Sequence, residues 1–309
     1  MENTDGTCCV SDKAYPMKRR NVRILLVVWL MLCIPLQAFC EDEILIGLIP
    51  EENIFHQMDR HRPLAEYLSE KLGIKVRMTI LSRYGDIIDR FSDRRMDGAF
   101  FGIFTGVLAM EKLKVEPVVR PVKLNGSSTE PGYIFVRKDS GIKTVADMKG
   151  KRMVFVDRAT VTGYLFAVAY LRENGVKNMD RYFREYSFVG SHDSVIHSVL
   201  DNRADIGLAQ SSIFNMLVAK DPSIGNELVV IAQSGELPDN TLCLRSDLSA
   251  GVKSRIRDIL LNMDKDPKGR EVLRKFKALK FIQASKEDYN PFFEMAKKAN
   301  IDLKSYRYK

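Results

Sequence analysis

Cysteine is scarce where it could staple a fold. The chain has five cysteines in 309 residues, and four of them, Cys8, Cys9, Cys33 and Cys40, fall in the first forty positions. If that segment is removed, Cys243 is the one thiol left, which excludes an internal disulfide framework. It stands in the apolar stretch Thr241-Leu242-Cys243-Leu244, the setting of a small buried hydrophobe. Histidine is also sparse. His56, His61, His192 and His197 form no spacing of the HExxH kind, and no cysteine pair accompanies them, so no metal and no cofactor is expected. There is no GxSxG elbow, no GxxxxGKS/T loop and no GxGxxG loop, so no catalytic residue is nominated and binding is expected rather than turnover. Internal repeats, heptads and low-complexity tracts are lacking as well. Past residue 36 no apolar run is long enough to cross a bilayer. The charge leans basic, 48 Lys and Arg against 40 Asp and Glu, for a net +8. The basic residues do not gather into an arm beyond the N-terminal region, and no nucleic-acid motif appears. A solvated surface is therefore expected, with no nucleic-acid partner. With 45% hydrophobic and 28% charged residues, the chain can build a core without staples, as one bilobed unit or two domains.

The N-terminus reads as an address. Met17-Lys18-Arg19-Arg20-Asn21-Val22-Arg23 is a basic n-region, and Ile24–Leu36 is an apolar run of signal-peptide length. Ala38-Phe39-Cys40 fits a cleavage site before Glu41-Asp42-Glu43. The expectation is export and cleavage of residues 1–40, with an uncleaved anchor as the alternative. Phe39 stands where a lipoprotein signal places a small residue. Residues 1–16 fit no standard signal, so Met17 is a candidate start.

Apolar strand-like runs then alternate with amphipathic helical stretches, the pattern of an α/β fold with a largely parallel sheet. The first unit reads as strands at 44–49, 75–81, 98–101 and 115–119 with helices at 63–72 and 84–94, and a strand at 133–137 leads out of it. A second βα series runs from Met153 to Gln233. A turn-rich crossing at 234–238 follows, then a strand at 241–245 and helices near 249–262, 268–277 and 287–298. Those last helices have nothing of their own to pack on, so the chain is expected to return to the first unit. That gives lobe one as 41–137 plus 238–309 and lobe two as 138–237, with two crossings as a hinge. Two sequential domains are the alternative.

The strongest local signal is Val156-Asp157-Arg158-Ala159-Thr160-Val161-Thr162-Gly163-Tyr164: strand, hydroxyl-rich loop, helix. The first N–H groups of a helix lack internal acceptors and carry partial positive charge, so an anion can take several at once. Thr160 and Thr162 would add hydroxyls, and Gly163 would let the anion approach the backbone. A plain threonine cap is the competing interpretation. Gly190-Ser191-His192-Asp193-Ser194 repeats the arrangement, either as a second anion-facing helix start with His192 as donor or as a capped helix with His192 on the surface. Tyr84 lies in a strand-to-helix turn and Tyr133 on the strand out of the first unit; each is either a ligand contact or a core aromatic.

Together these segments resemble the phosphate/phosphite/phosphonate-binding proteins of ABC importers, over nearly all of residues 44–275. The resemblance is carried by Asp139–Arg152, by Thr160-Val161-Thr162-Gly163 against the family's Ser-Thr-Ser-Gly, by Gly190-Ser191-His192-Asp193 against its Gly-x-His, and by Arg203-Ala204-Asp205-Ile206-Gly207. Val161 departs from the family by removing a hydroxyl, and Arg158 stands where proline is common. Gly102 is kept without the usual following proline.

The resemblance implies a two-lobed type II periplasmic-binding-protein fold, each lobe a mostly parallel sheet flanked by helices. It also implies a monomeric, non-catalytic solute-binding protein that captures phosphate, phosphite or phosphonate for an ABC permease and ATPase, or a sensing module of the same fold. The implied site is the N–H groups of Val161, Thr162 and Gly163, the hydroxyls of Thr160 and Thr162, and His192, closed over by Tyr84 and Tyr133. Ser212 and Asn240 take the places where aminophosphonate-binding relatives hold an ammonium with carboxylates. A preference against 2-aminoethylphosphonate is therefore expected, unless the adjoining Asp239 supplies the missing charge.

Overall fold

The computed structural model describes residues 43–93, 96–302 and 305. The export signal and its cleavage site lie outside the described residues. Among the described residues no helix is long and apolar enough to cross a membrane.

Strands β1 (Glu43–Leu48), β2 (Lys75–Ile80), β3 (Gly98–Phe101), β4 (Glu116–Lys123), β12 (Thr241–Leu244) and β13 (Ala278–Gln283) form one sheet, in the order β13-β4-β12-β3-β1-β2. Strands β6 (Gly132–Arg137), β7 (Arg152–Phe155), β8 (Glu185–Phe188), β9 (Ile206–Gln210) and β10 (Leu228–Gln233) form a second, in the order β10-β6-β9-β7-β8. Two short strands, β5 (Thr129–Glu130) and β11 (Leu237–Pro238), pair antiparallel where the chain passes between the sheets.

Period-2 burial explains β1: Ile44, Ile46 and Leu48 are buried together with Leu64, Leu68 and Leu72 of helix α1 (Ile54–Leu72). Asn53 caps that helix by accepting from the Phe55 N–H, and Gly73 ends it at φ 69°, a left-handed value that suits glycine. The second lobe buries Phe135, Phe155, Leu165 and Ile206 in a continuous cluster that also takes in Phe101, Phe104 and Val107 from the first.

Three expectations change. The sheets are mixed rather than mostly parallel. β1 pairs parallel with β2 and β3, and β7 with β8 and β9. β12 and β13 run antiparallel on β4, β12 also on β3, and β6 runs antiparallel on β9 and β10. The antiparallel strands are those flanking the crossings or added after the return, so no βα crossover dictates their direction. The strand at 133–137 belongs to the second sheet. Ile134, Phe135 and Val136 are all fully buried between β9 and β10, so the passage between sheets falls at 124–131 and not after 137. Finally, the helices Ala250–Leu261 and Pro267–Phe276 do return to the first sheet, but Asn290–Lys298 packs on the helix Phe166–Glu173 of the second lobe. Its Phe292 meets Phe104 of the first lobe edge-on at 5.7 Å, and Lys298 pairs with Glu173 at 3.0 Å. With one aromatic contact and one ion pair, this helix bridges both lobes.

Candidate functional site

In the loop after β7, the Asp157 side chain accepts the Ala159 N–H at 2.8 Å, and its carbonyl accepts the Thr160 hydroxyl at 2.6 Å. These two bonds fold the loop so that the helical turn opens at Val161. The turn is wide: it closes by Leu165 N–H to the Thr160 carbonyl and Phe166 N–H to the Val161 carbonyl. It then continues as helix α2 (Phe166–Glu173). The N–H groups of Val161, Thr162, Gly163 and Tyr164 lie ahead of the first closed turn, where a helix has donors and no internal acceptors. Thr160, Val161 and Thr162 line a narrow inner cavity of about 30 Å³ between the lobes.

The same cavity receives Tyr84, His192 and Asn240. Tyr84 is 3% exposed, and its hydroxyl is buried without a hydrogen-bond partner among the described residues. Burial, with the nearby Glu51 charge, holds that hydroxyl well above its ordinary pKa, so it stays a donor. His192 is 2% exposed, and burial pushes its imidazole down to about 3. It is therefore neutral. The Gln210 N–H donates to His192 Nδ1 at 3.1 Å, which leaves the ring proton on Nε2. The Tyr84 and His192 rings meet edge-on at 6.4 Å. From the first lobe, Gly102, Ile103 and Phe104 bring in the start of the helix Ile103–Leu113, a second set of unclosed donors that the sequence reading overlooked.

Three roles change. The Thr160 hydroxyl is committed to Asp157 and is not a spare donor. Gly163 does not line the cavity. A Cβ there would lie 2.6 Å from Val156 Cβ and 2.6 Å from Thr160 Oγ1, so glycine serves close packing on the strand below. The helix α3 (His192–Leu200) spends its start on closure: the His192 N–H donates to the Glu51 carbonyl at 3.1 Å, and Asp193 accepts the Asn53 N–H at 2.8 Å. Arg158 lies over the rings of Phe188 at 4.8 Å and Tyr164 at 5.7 Å, away from both cavities.

A wider cavity of about 750 Å³ adjoins the inner one, and Tyr133, Ser212 and Asn240 line it. Tyr133 stands edge-on to Phe214 at 5.8 Å. Ser212 and Asn240 are neutral, but each is attached to a buried carboxylate: the Ser212 N–H donates to Glu130 at 3.3 Å, and the Asn240 amide donates to Glu51. Gln210 Nε2 also donates to Glu130. Lys123 lies 3.3 Å from both Glu130 and Asp239, and Arg60 lies 2.8 Å from Glu51 and 3.1 Å from Glu52. Burial works against the Lys123 charge, but Glu130 and Asp239 outweigh it and raise its pKa. The pocket inferred as neutral from Ser212 and Asn240 is thus a charged one, lined by Glu51, Glu130, Glu236 and Asp239 together with Arg60, Lys123, Lys220 and Lys277. Glu51, Arg60, Lys123 and Glu130 went unnoticed because they are scattered in the chain and look like surface charges. The one available signal was that Glu51-Glu52 directly follows a buried strand.

The family model described as "ABC transporter, phosphonate, periplasmic substrate-binding protein" matches residues 46–289. The chain is 25% identical to the phosphonates-binding periplasmic protein of Escherichia coli K12, over 83% of this chain and 76% of that one. It is 27% identical to the phosphate-import protein PhnD of Mycolicibacterium smegmatis, over 77% and 71%. The solved structure of PhnD1 from Prochlorococcus marinus in complex with methylphosphonate superposes with a TM-score of 0.76 at 21% identity, over 84% of this chain and 99% of that one. Two sheets on two lobes, a paired crossing between them and a cavity at the seam are the features of the type II binding-protein fold, and with a family match across 46–289 the chain belongs to the periplasmic substrate-binding proteins of phosphonate ABC transporters.

Proposed function

We propose that the chain captures a small phosphate-, phosphite- or phosphonate-type oxyanion between its lobes and hands it, as a monomer and without turnover, to an ABC permease and ATPase. One observation carries this reading. A buried hydroxyl without a partner among the described residues, Tyr84 Oη, shares a cavity with the unclosed donors at Val161–Thr162 and the Nε2–H of a neutral histidine. Burying an anion is costly unless its oxygens are hydrogen-bonded, and charge-assisted bonds are the stronger kind. The names of the relatives support the ligand class, since they bind phosphonates or import phosphate. Their periplasmic setting supports removal of the N-terminal signal near Glu41. The lobes then close because the ligand makes contacts on both sides, a shift of population toward the closed form.

Calorimetric titration with phosphate, phosphite, methylphosphonate and sulfate tests the reading. At least one phosphorus oxyanion is expected to bind with a clear preference over sulfate. Replacing Thr162 with Ala is expected to weaken it by about 1.5–3 kcal/mol, the worth of a charge-assisted bond. No binding of any of the four would overturn the reading.

A further inference from the structure

The acidic groups around the anion cavity pose a charge problem. Glu51, Glu52, Glu130 and Asp239 pair directly with two cations, Arg60 and Lys123, while Lys220 and Lys277 also line the wider cavity. Glu130 is 3% exposed and lines both the inner and the wider cavity. An ionised carboxylate there would repel an incoming oxyanion across a low-dielectric gap. Building on the anion-capture reading, we propose that Glu130 enters the complex as a neutral carboxylic acid and donates its O–H to the bound oxyanion, so that it sets which pH the site works at and which ligand it prefers.

The surroundings fit a protonated Glu130. Strand β9 and the helix after it supply two donors, Gln210 Nε2 and the Ser212 N–H, which are satisfied by either form of the acid. From the end of β4 comes Lys123, half of whose attraction goes to Asp239 after β11. From the loop after β1 comes Glu51, itself held by Arg60 and Asn240. Glu236 lies toward solvent, where it accepts the Thr129 hydroxyl at 2.7 Å. On the cavity side face Tyr84 and His192, both neutral. Burial first, and the Asp239 charge second, push the Glu130 carboxyl up to about 8. An anion bound beside it would move it further in the same direction.

The sign follows. Below pH 8 the free site holds the proton and binding proceeds. Above pH 8 the proton must be taken up on binding, so affinity falls. The test is calorimetry with methylphosphonate from pH 6 to 9 on the wild type, on E130Q and on D239N. The ligand's own titration is common to all three. Between pH 7 and pH 9 the wild type is expected to lose about tenfold more affinity than E130Q, because one pH unit above the pKa leaves about a tenth of the sites protonated. D239N, which removes the repulsion and leaves Lys123 to Glu130, is expected to move that loss to lower pH. Profiles that run parallel in the wild type and E130Q, or a D239N profile that does not move down, would overturn the proposal while leaving anion capture standing. A loss in E130Q confined to 2-aminoethylphosphonate would also overturn it, because Glu130 would then be the charged partner of an ammonium. A wild type that binds no phosphorus oxyanion at any pH would overturn both readings.

Discussion

The second lobe contains two strand-to-helix turns that look alike in sequence and serve opposite ends. Asp157–Tyr164 and Gly190–Ser194 each place small polar residues between a strand and a helix, the first after the buried β7 and the second after the edge strand β8. In the first, Asp157 and Thr160 bond within the loop, and Val161 and Thr162, ahead of the first closed turn, line the inner cavity. In the second, Ser194 N–H is held by Asp193 and His192 N–H by the Glu51 carbonyl of the other lobe. One turn leaves backbone donors without helical acceptors beside the inner cavity; the other ties the lobes together and brings its histidine ring to the same cavity. Local sequence can show that a helix start is polar. Which acceptor it meets is decided by tertiary placement.

Substitutions in and around the two turns test their different roles. The largest effect is expected at Gly163. Replacing it with Val drives carbon into Val156 and Thr160, so overpacking should cost roughly 3 kcal/mol or more of stability, with the wide turn distorted. Thermal unfolding would show it, and an unchanged melting temperature would return Gly163 to a purely ligand-facing role. Next comes Tyr84→Phe. It removes a donor to the anion and no protein partner, so affinity should fall by about 1.5–3 kcal/mol while thermal stability holds or rises. A loss of stability without a loss of affinity would make Tyr84 a core aromatic. The smallest change is expected at Asp193→Asn, which weakens the bond from the Asn53 N–H across the seam. Affinity should drop by about 0.5–1.5 kcal/mol through closure, uniformly for every oxyanion, because the anion's own donors are untouched. A change in ligand ranking would place Asp193 at the ligand itself.

Much of the fold was legible because it rests on local signals. The buried alternation of β1, the Leu64-Leu68-Leu72 face and Gly73 as a stop all appear where the pattern puts them. The partner of a strand is not a local property. Ile134–Val136 is apolar on both faces, which says that the strand is central but not in which sheet, so a lobe boundary after 137 does not match the sheets. Thr160, Val161, Thr162, His192, Tyr84 and Asn240 do converge on one cavity, because strand ends of an α/β sheet gather at one edge. The carboxylates escaped notice for the opposite reason. Glu51 and Glu130 come from separate segments, and acids are common on any charged surface. Only their burial marks them.

In the proposed mode of capture the anion rests on the turn at Val161–Tyr164 and not on the start of α3. Backbone amide shifts report it directly. In an ¹H–¹⁵N spectrum recorded with and without saturating methylphosphonate, the amides of Val161, Thr162, Gly163 and Tyr164 should move strongly downfield, as donors to an anion. The His192 amide, already held by the Glu51 carbonyl, should move far less. A dominant shift at His192 and Asp193, with the Val161–Tyr164 amides unmoved, would contradict the claim.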